Sequence, residues 1–375
     1  MPDVVVVGAG PAGIAAARAV RECGKTVAVL DDNFAAGGQI WRGEPVSLEG
    51  LRAGTRVLGP WQLGSERIVL ATGARELFLP FPGWTLPNVV GAGGLQALVK
   101  GGLAVRGKRI IVAGSGPLLL VVALYLQKQG AQVLFVAEQA STRQMMALAR
   151  HPLKLVEGLR LRAGLLGVPY RTECWPVSAE GPGQLLSVTL RQRGETWTER
   201  CDYLACGFGL VPNAELAALF GCELRDGFVV VDEKQRTSIP NVFAAGEITG
   251  IGGVEKASEE GRVAGLTAAG RDARCSRQVF PDTLRRAFAL RDELRHLATR
   301  DTIVCRCEDV PLAAIRPAAS WRESKLQTRC GMGPCQGRVC GPALQFLCGW
   351  RDESVRPPLY PAPVEELLSE KLLDE

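Results

Sequence analysis

The chain has 375 residues, enough for two or three domains with separate cores. Its net charge of +5 is mild and its lysines and arginines are scattered, with no basic block or aromatic ladder, which argues against a nucleic-acid partner. Only two histidines are present, His151 and His296, so His-rich metal sites and Ser–His chemistry are poorly supplied.

The chain starts MPDVVVVGAG, with no basic segment, and its apolar run breaks at glycine after four valines. No leader peptide is expected, and a cytoplasmic setting follows. There, close cysteines serve metals or redox chemistry more often than disulfides, which matters for a chain with twelve of them.

Residues 4–7 predict a buried strand, and IAAARAVRECG predicts a helix. Between them lies GAGPAG, with Gly8, Gly10, Pro11, Ala12 and Gly13; a second strand, TVAVLD, ends at Asp31. This is a complete dinucleotide-binding unit. Gly8 makes the tight turn, Gly10 admits the diphosphate and Gly13 lets helix and strand close up. Asp31 stands where a ribose is held.

Three later pieces point to FAD. Residues 37–42 read GGQIWR, with Gly38, Gln39 and Arg42. Residues 68–74 read IVLATGA, ending in Ala71, Thr72 and Gly73, and residues 240–253 read PNVFAAGEITGIGG, with Gly246, Glu247 and Gly253. The set resembles the two-dinucleotide-domain flavoproteins of the glutathione-reductase-like group. The resemblance implies a carboxylate near the ribityl chain of the flavin; that group usually has aspartate there, and this chain has Glu247.

The architecture repeats in residues 108–138, KRIIVAGSGPLLLVVALYLQKQGAQVLFVAE. The long apolar run inside it is split by Gly-Ser-Gly-Pro into a strand and a helix, so it does not predict a membrane span. Gly114, Gly116 and Glu138 match the first motif, whereas Leu119 replaces the third glycine and should hold the helix off the strand. A structural domain, or a site for another adenine nucleotide such as ATP, is favoured over a working NAD(P)H site. This domain holds no Cys-x-x-Cys, which counts against thioredoxin-reductase chemistry.

The expected layout is a discontinuous FAD domain (1–95 and 237–275), an NAD(P)-binding-like insert (96–236), a helical linker (276–300), a cysteine-bearing domain (301–350) and a tail (351–375). The stretch from Arg42 to Ile68 reads as a trimmed excursion with few apolar residues. Residues 282–298 predict a packing helix.

The cysteine-bearing domain carries Cys305 and Cys307 in CRCE, then Cys330, Cys335 and Cys340 in TRCGMGPCQGRVCG. Cys305, Cys307, Cys335 and Cys340 give the ligand count of a [2Fe-2S] centre, in loops whose glycines let N–H groups face sulfur. Zinc is the competing metal, although the spacing is not that of a zinc ribbon. Cys330 either replaces one ligand or sits beside them, and Cys348 reads as core.

These cysteine motifs, with GWTLPNVVGAGGLQALVK, ACGFGLVPN and EITGIGGVEKASEEGRVAG, cover almost the whole chain. They resemble the alpha subunits of heteromeric opine oxidases and dye-linked proline and hydroxyproline dehydrogenases, and the B subunit of hydrogen cyanide synthase. The last segment is similar to bacterioferritin-associated-ferredoxin-like [2Fe-2S] domains. The resemblance implies an α/β fold of two interleaved Rossmann-like domains plus a small [2Fe-2S] domain. It implies Gly8, Gly10, Gly13 and Asp31 at the adenine half of FAD, Gly246 and Glu247 at the flavin side, and Cys305, Cys307, Cys335 and Cys340 on the cluster.

It also implies a flavin-containing, amino-acid-oxidase-like beta subunit that oxidises an amine, this chain passing the electrons to an acceptor such as a quinone. No catalytic acid or base is evident. Two other classes remain: an NAD(P)H-dependent reductase feeding its own cluster, and a non-enzymatic structural partner.

Overall fold

The computed structural model describes residues 1–276, 279–351 and 355–368. Parts of the expected linker (277–278) and tail (352–354 and 369–375) therefore lie outside the described residues. Two compact units result. One comprises Met1–Arg75, Val211–Pro281 and Ser354–Glu375, the other Glu76–Leu210 and Asp282–Glu353.

The first unit holds a five-stranded parallel sheet. Its order is Val242–Ala244, Ile68–Leu70, Val4–Val7, Val27–Leu30 and Leu51–Arg52. Val4–Val7 is central and buried throughout. Val4 and Val6 face one apolar cluster, with Ile14, Val20 and Ala264; Val5 and Val7 face another, with Leu30, Leu63 and Leu216. A strand covered on both faces reads as a continuous apolar run rather than an alternating one.

The helices Pro11–Glu22 and Val254–Ala268 pack together through their backbones. A Cβ on Gly261 would lie 2.1 Å from the Ala12 carbonyl oxygen, and one on Gly265 would lie 2.3 Å from that of Ala16. The stretch after Arg42 is more than a bare excursion. It supplies the edge strand Leu51–Arg52 and buries Leu48, Val57, Leu58 and Leu63.

The second unit has its own parallel sheet, ordered Val89–Gly91, Tyr203–Gly207, Arg109–Gly114, Gln132–Glu138 and Tyr170–Thr172. Helices Ala92–Lys100 and Leu118–Lys128 share one cluster with Ile110, Val112 and Val136. The antiparallel strands Cys174–Glu180, Ser187–Gln192 and Glu195–Arg200 contribute to the other.

By packing, the units divide at Arg75/Glu76 and Leu210/Val211 rather than near 95 and 237. Residues 89–91 pair into the second sheet, whereas Leu216, Cys222 and Val229 join the core around Val5. The predicted helix over 282–298 is Phe280–Ala287 followed, after a break, by a 3-10 turn at Asp292–His296. No helix among the described residues is long and apolar enough to cross a membrane.

The cysteine-bearing segment within the second unit forms a small core of its own. A short hairpin, Ile303–Cys305 with Val310–Pro311, packs with the helices Trp321–Thr328 and Cys340–Cys348.

Replacing Gly265 by valine should overpack the helix pair of the first unit and cost about 1–3 kcal/mol. Gly158→Ala, on an exposed helix where a Cβ meets nothing within 4 Å, should be neutral or stabilising. Thermal melts followed by circular dichroism read both, and equal melting temperatures for the two variants would contradict this packing.

Candidate functional site

Strand Val4–Val7 turns at Gly8, whose φ is +105° and whose Cβ, if present, would lie 2.2 Å from the Ala71 carbonyl oxygen. A Cβ on Gly13 would fall 1.8 Å from the Gly8 carbonyl oxygen, so strand and helix meet backbone to backbone. The helix starts at Pro11, and Ile14 N–H bonds the Gly10 carbonyl. Among the described residues, the N–H groups of Gly10, Ala12 and Gly13 have no acceptor, and nothing lies within 4 Å of a Cβ placed on Gly10. A helix start with free N–H groups and open space is a cradle for an anion such as a diphosphate.

Asp31 is buried beside this loop. Its Oδ2 accepts from Ala9 N–H, while Oδ1 accepts from Asn33 N (2.7 Å) and Nδ2 (2.8 Å). Arg42 extends the network, donating to Asn33 Oδ1 at 2.9 Å and Gln39 Oε1 at 3.2 Å. Gly37 N–H bonds the Ala9 carbonyl, and Gly38 lies against Gly10. GGQIWR is thus laid over the glycine loop. Thr72 exchanges hydrogen bonds with Asn213, at 2.6 and 2.9 Å, and Asn213 N–H also bonds Gly73. Arg75 holds Asn213 Oδ1 and pairs with Glu215 at 2.9 Å.

The Gly246–Glu247 turn is clamped by a buried ion pair that the sequence reading passed over. Lys256 Nζ lies 2.7 Å from Glu260 Oε2 and donates to the Gly246 carbonyl and to Thr249 Oγ1. Glu260 Oε2 in turn accepts from Gly246 N–H. The signal was the i,i+4 Lys–Glu spacing in VEKASEEG, which usually marks a solvated helix face. Glu247 Oε1 accepts from Gly253 N–H at 2.9 Å, but its buried Oε2 has no partner. Burial raises the Glu247 pKa against the pull of the Gly253 and Gly252 amides and of Lys256. An orphaned buried acceptor, free N–H groups and an open corner fit a dinucleotide with sugar hydroxyls and a diphosphate.

The second motif differs at the start of its helix. The helix begins one motif position later, at Leu118, and Leu119 is fully buried in its first turn. That turn is tightened: Leu119 N–H bonds the Gly116 carbonyl and Leu120 N–H that of Pro117. Gly116 N–H is held by Glu138 Oε2 at 2.8 Å, and proline has no N–H. Glu138 is itself enclosed, accepting also from Ala140 N–H and the Tyr170 hydroxyl.

Residues after helix Phe280–Ala287 bind this loop directly. Ser115 Oγ donates to the Phe288 carbonyl at 3.0 Å, and Gln139 Nε2 donates to that of Ala289 at 3.2 Å. Arg291 N–H donates to Gln139 Oε1, and its guanidinium lies 4.5 Å from the Trp175 ring centre. The open space beside Gly116 persists; the N–H groups of Ser115, Gly116, Leu119 and Leu120 are bonded within the chain, whereas that of Leu118 has no acceptor among the described residues.

In the cysteine-bearing segment of the same unit the thiols converge. The sulfurs of Cys305, Cys330 and Cys340 all lie within 4.8 Å of one another and are buried. Burial raises the Cys307 pKa, and the neighbouring Cys335 N–H opposes the rise. Cys330 is therefore among the innermost of the five, with Cys307 and Cys335 nearer the surface. Thiol contacts from Cys330 first and Cys340 second push the Cys305 pKa down to about 2, aided by Gly331 and Glu308 N–H groups facing its sulfur.

In the same core, Trp321 Nε1 and Ser324 Oγ are buried without partners. Thiolate donors with spare N–H and O–H groups nearby fit a metal–sulfur group. Cys348, read as core, is exposed: its helix turns Cys340, Ala343 and Leu344 inward and ends at Cys348.

Residues 61–261 match the pyridine nucleotide-disulphide oxidoreductase family, and residues 1–47 match the Thi4 family. The chain belongs to the pyridine nucleotide-disulphide oxidoreductase family and is an oxidoreductase of FAD- or NAD(P)-binding type. It is 30% identical to the A subunit of opine oxidase from Rhizobium meliloti (strain 1021), over 97% of this chain and 98% of that one. It is 29% identical to hydrogen cyanide synthase subunit HcnB of Pseudomonas protegens, over 96% of each chain. Among solved structures, L-proline dehydrogenase from P. horikoshii is similar with a TM-score of 0.65 and 20% identity, over 96% of this chain and 78% of that one. Thioredoxin reductase of T. acidophilum has a TM-score of 0.57 and 22% identity, over 72% and 98% respectively. At these identities the two structures establish the fold.

Burial pushes the Glu138 pKa up to about 7, above the 4.5 of a free carboxyl, while the amides of Ala140 and Gly116 oppose it. A carboxyl that holds its proton more tightly when folded favours the fold below its unfolded value, and loses that contribution as pH rises through the folded one. The second unit should therefore melt at lower temperature at pH 8 than at pH 5. Glu138→Gln should melt lower overall, because one amide loses its acceptor, but with a flatter pH profile. An equally steep profile in that variant would assign the pH dependence elsewhere.

Proposed function

We propose that this chain is the electron-relay subunit of a heteromeric amine dehydrogenase or oxidase. The first unit holds FAD, with Gly8, Gly10, Pro11, Ala12, Gly13 and Asp31 at its adenine half. Glu247 turns its free oxygen to the sugar hydroxyls of the flavin side. The C-terminal thiols hold a [2Fe-2S] group. The observation that carries this reading is the coexistence of an open dinucleotide corner with converging thiols, while the loop of the second corner is bonded to residues 288 and 289 of its own chain.

The relatives support it, since two of them are subunits of an opine oxidase and of a hydrogen cyanide synthase. On this reading a flavin-containing partner removes two electrons and two protons from a CH–NH group, leaving an imine that water hydrolyses. FAD and the metal–sulfur group, when bound, would supply the electron-carrying chemistry, and this chain's residues would set their positions and potentials. The final acceptor is not NAD; a quinone suits it.

The likeness to a ferredoxin–NADP reductase of Ignicoccus hospitalis, 28% identical over 72% of this chain, favours a second reading, an NAD(P)H-fed reductase. It requires the bonds of Ser115 and Gln139 to the 288–291 segment to open.

The test is co-purification with an amino-acid-oxidase-like flavoprotein partner, with reduction of an artificial dye driven by an opine, proline or glycine-type amine. Dye reduction should need both chains, and Cys335→Ser should abolish iron–sulfur absorbance and dye reduction while leaving the circular dichroism unchanged. Full iron content in Cys335→Ser would remove that residue from the ligand set, and full dye reduction by the partner alone would contradict the relay.

A further inference from the structure

We infer that Cys330 is a fifth metal-competent thiol, sharing one ligand position of the C-terminal centre with Cys340. The inference deepens the iron–sulfur reading and depends on it. A [2Fe-2S] group takes four thiolates, two on each iron. Thiolates on one tetrahedral metal, with metal–sulfur bonds of about 2.3 Å, lie about 3.8 Å apart. The five thiols divide unevenly against that requirement. Cys307 and Cys335 lie nearer the surface than the other three. Cys305, Cys330 and Cys340 form a buried triangle with every side within 4.8 Å. Cys305 thus has two partners within reach where one iron needs a single one.

The backbone fixes Cys330 in that triangle. Helix Trp321–Thr328 ends with Arg329 in the left-handed conformation, φ 62°, which turns the next residue inward. Thr328 Oγ1 accepts the Cys330 N–H at 3.2 Å. Gly331 follows at φ 82°, and a Cβ there would come within 2.6 Å of the Trp321 ring. A cysteine serving only as core filler would face carbon; Cys330 faces two sulfurs.

When Cys340 binds the iron, the Cys330 S–H donates to the Cys305 sulfur, a contact that stabilises the more negative, reduced state. Were Cys330 to take the position, its Sγ–iron bond would form as the Cys340 Sγ–iron bond broke. The proton leaving Cys330 passes to Cys340, and no electron changes hands.

The experiment compares Cys340→Ser, Cys330→Ala, the double variant and Cys305→Ser, each purified anaerobically as the full chain. Iron and acid-labile sulfide are counted, and electron paramagnetic resonance and the midpoint potential are recorded. Both single variants at 330 and 340 should keep the iron of the unaltered chain, and the double variant should fall to the level of Cys305→Ser. Cys330→Ala should also shift the g-values and lower the potential, because a hydrogen bond to sulfur is lost.

Folded Cys340→Ser with no more iron than Cys305→Ser would overturn the inference. So would Cys330→Ala with unchanged g-values and potential, an arm that decides the matter even if Cys340→Ser does not fold. Zinc in place of iron in the unaltered chain would fail the iron–sulfur reading alone. Zinc kept by both single variants and lost by the double would still support the shared position.

Discussion

The contact between Gly13 and the Gly8 carbonyl governs how the first unit can work. With no side chain at either place, the helix closes on the strand, and its first N–H groups are left facing open space. An anion is the natural complement of such a corner, because the unsatisfied donors and the helix dipole act together. The second motif shows the effect of losing that contact. Leu119 occupies the place of the third glycine, the first turn tightens, and the donors bond inward to Gly116, Pro117 and Glu138. One chain thus carries two copies of the same supersecondary unit whose helix starts differ in which N–H groups are already bonded.

The C-terminal thiols depend on a comparable backbone constraint. Gly333 lets its loop lie on Cys307, where a Cβ would come within 2.4 Å of the Cys307 Cβ. Gly331 and Arg329 deliver Cys330 to the interior in the same way. Small segments of this size bury too little apolar surface to be rigid by packing alone, so a bound metal–sulfur group would add folding energy as well as redox chemistry. The orphaned donors of Trp321 and Ser324 belong to that account: buried polar groups without partners are costly unless something completes them.

Much of this was legible in the sequence because it rests on local rules. VVVV, GAGPAG and the terminal acids of each strand–turn–helix–strand unit are short-range patterns, and they fold as such. The unit boundaries were less legible, since the three-residue strand Val89–Gly91 has too little periodicity to announce which sheet it joins. Spacing also says little about depth. Cys330 lies innermost although its spacing left its role open, and Cys348 is exposed because its helix ends there. The bonds from Ser115 and Gln139 to residues 288 and 289 join segments about 150 or more positions apart and leave no local trace. The Lys256–Glu260 pair was hidden differently: its spacing is ordinary, and only burial makes it a clamp.

The central claim is that electrons reach this chain from a partner and not from its second nucleotide motif. The most direct measurement is an anaerobic titration of the purified chain with NADH, following flavin absorbance and the iron–sulfur signal together, with dithionite as the reference reductant. The account predicts both chromophores present, both reduced by dithionite and neither moved by NADH. Rapid bleaching of the flavin by NADH would contradict it, and would show that the segment over Ser115 and Gln139 opens to admit the nucleotide.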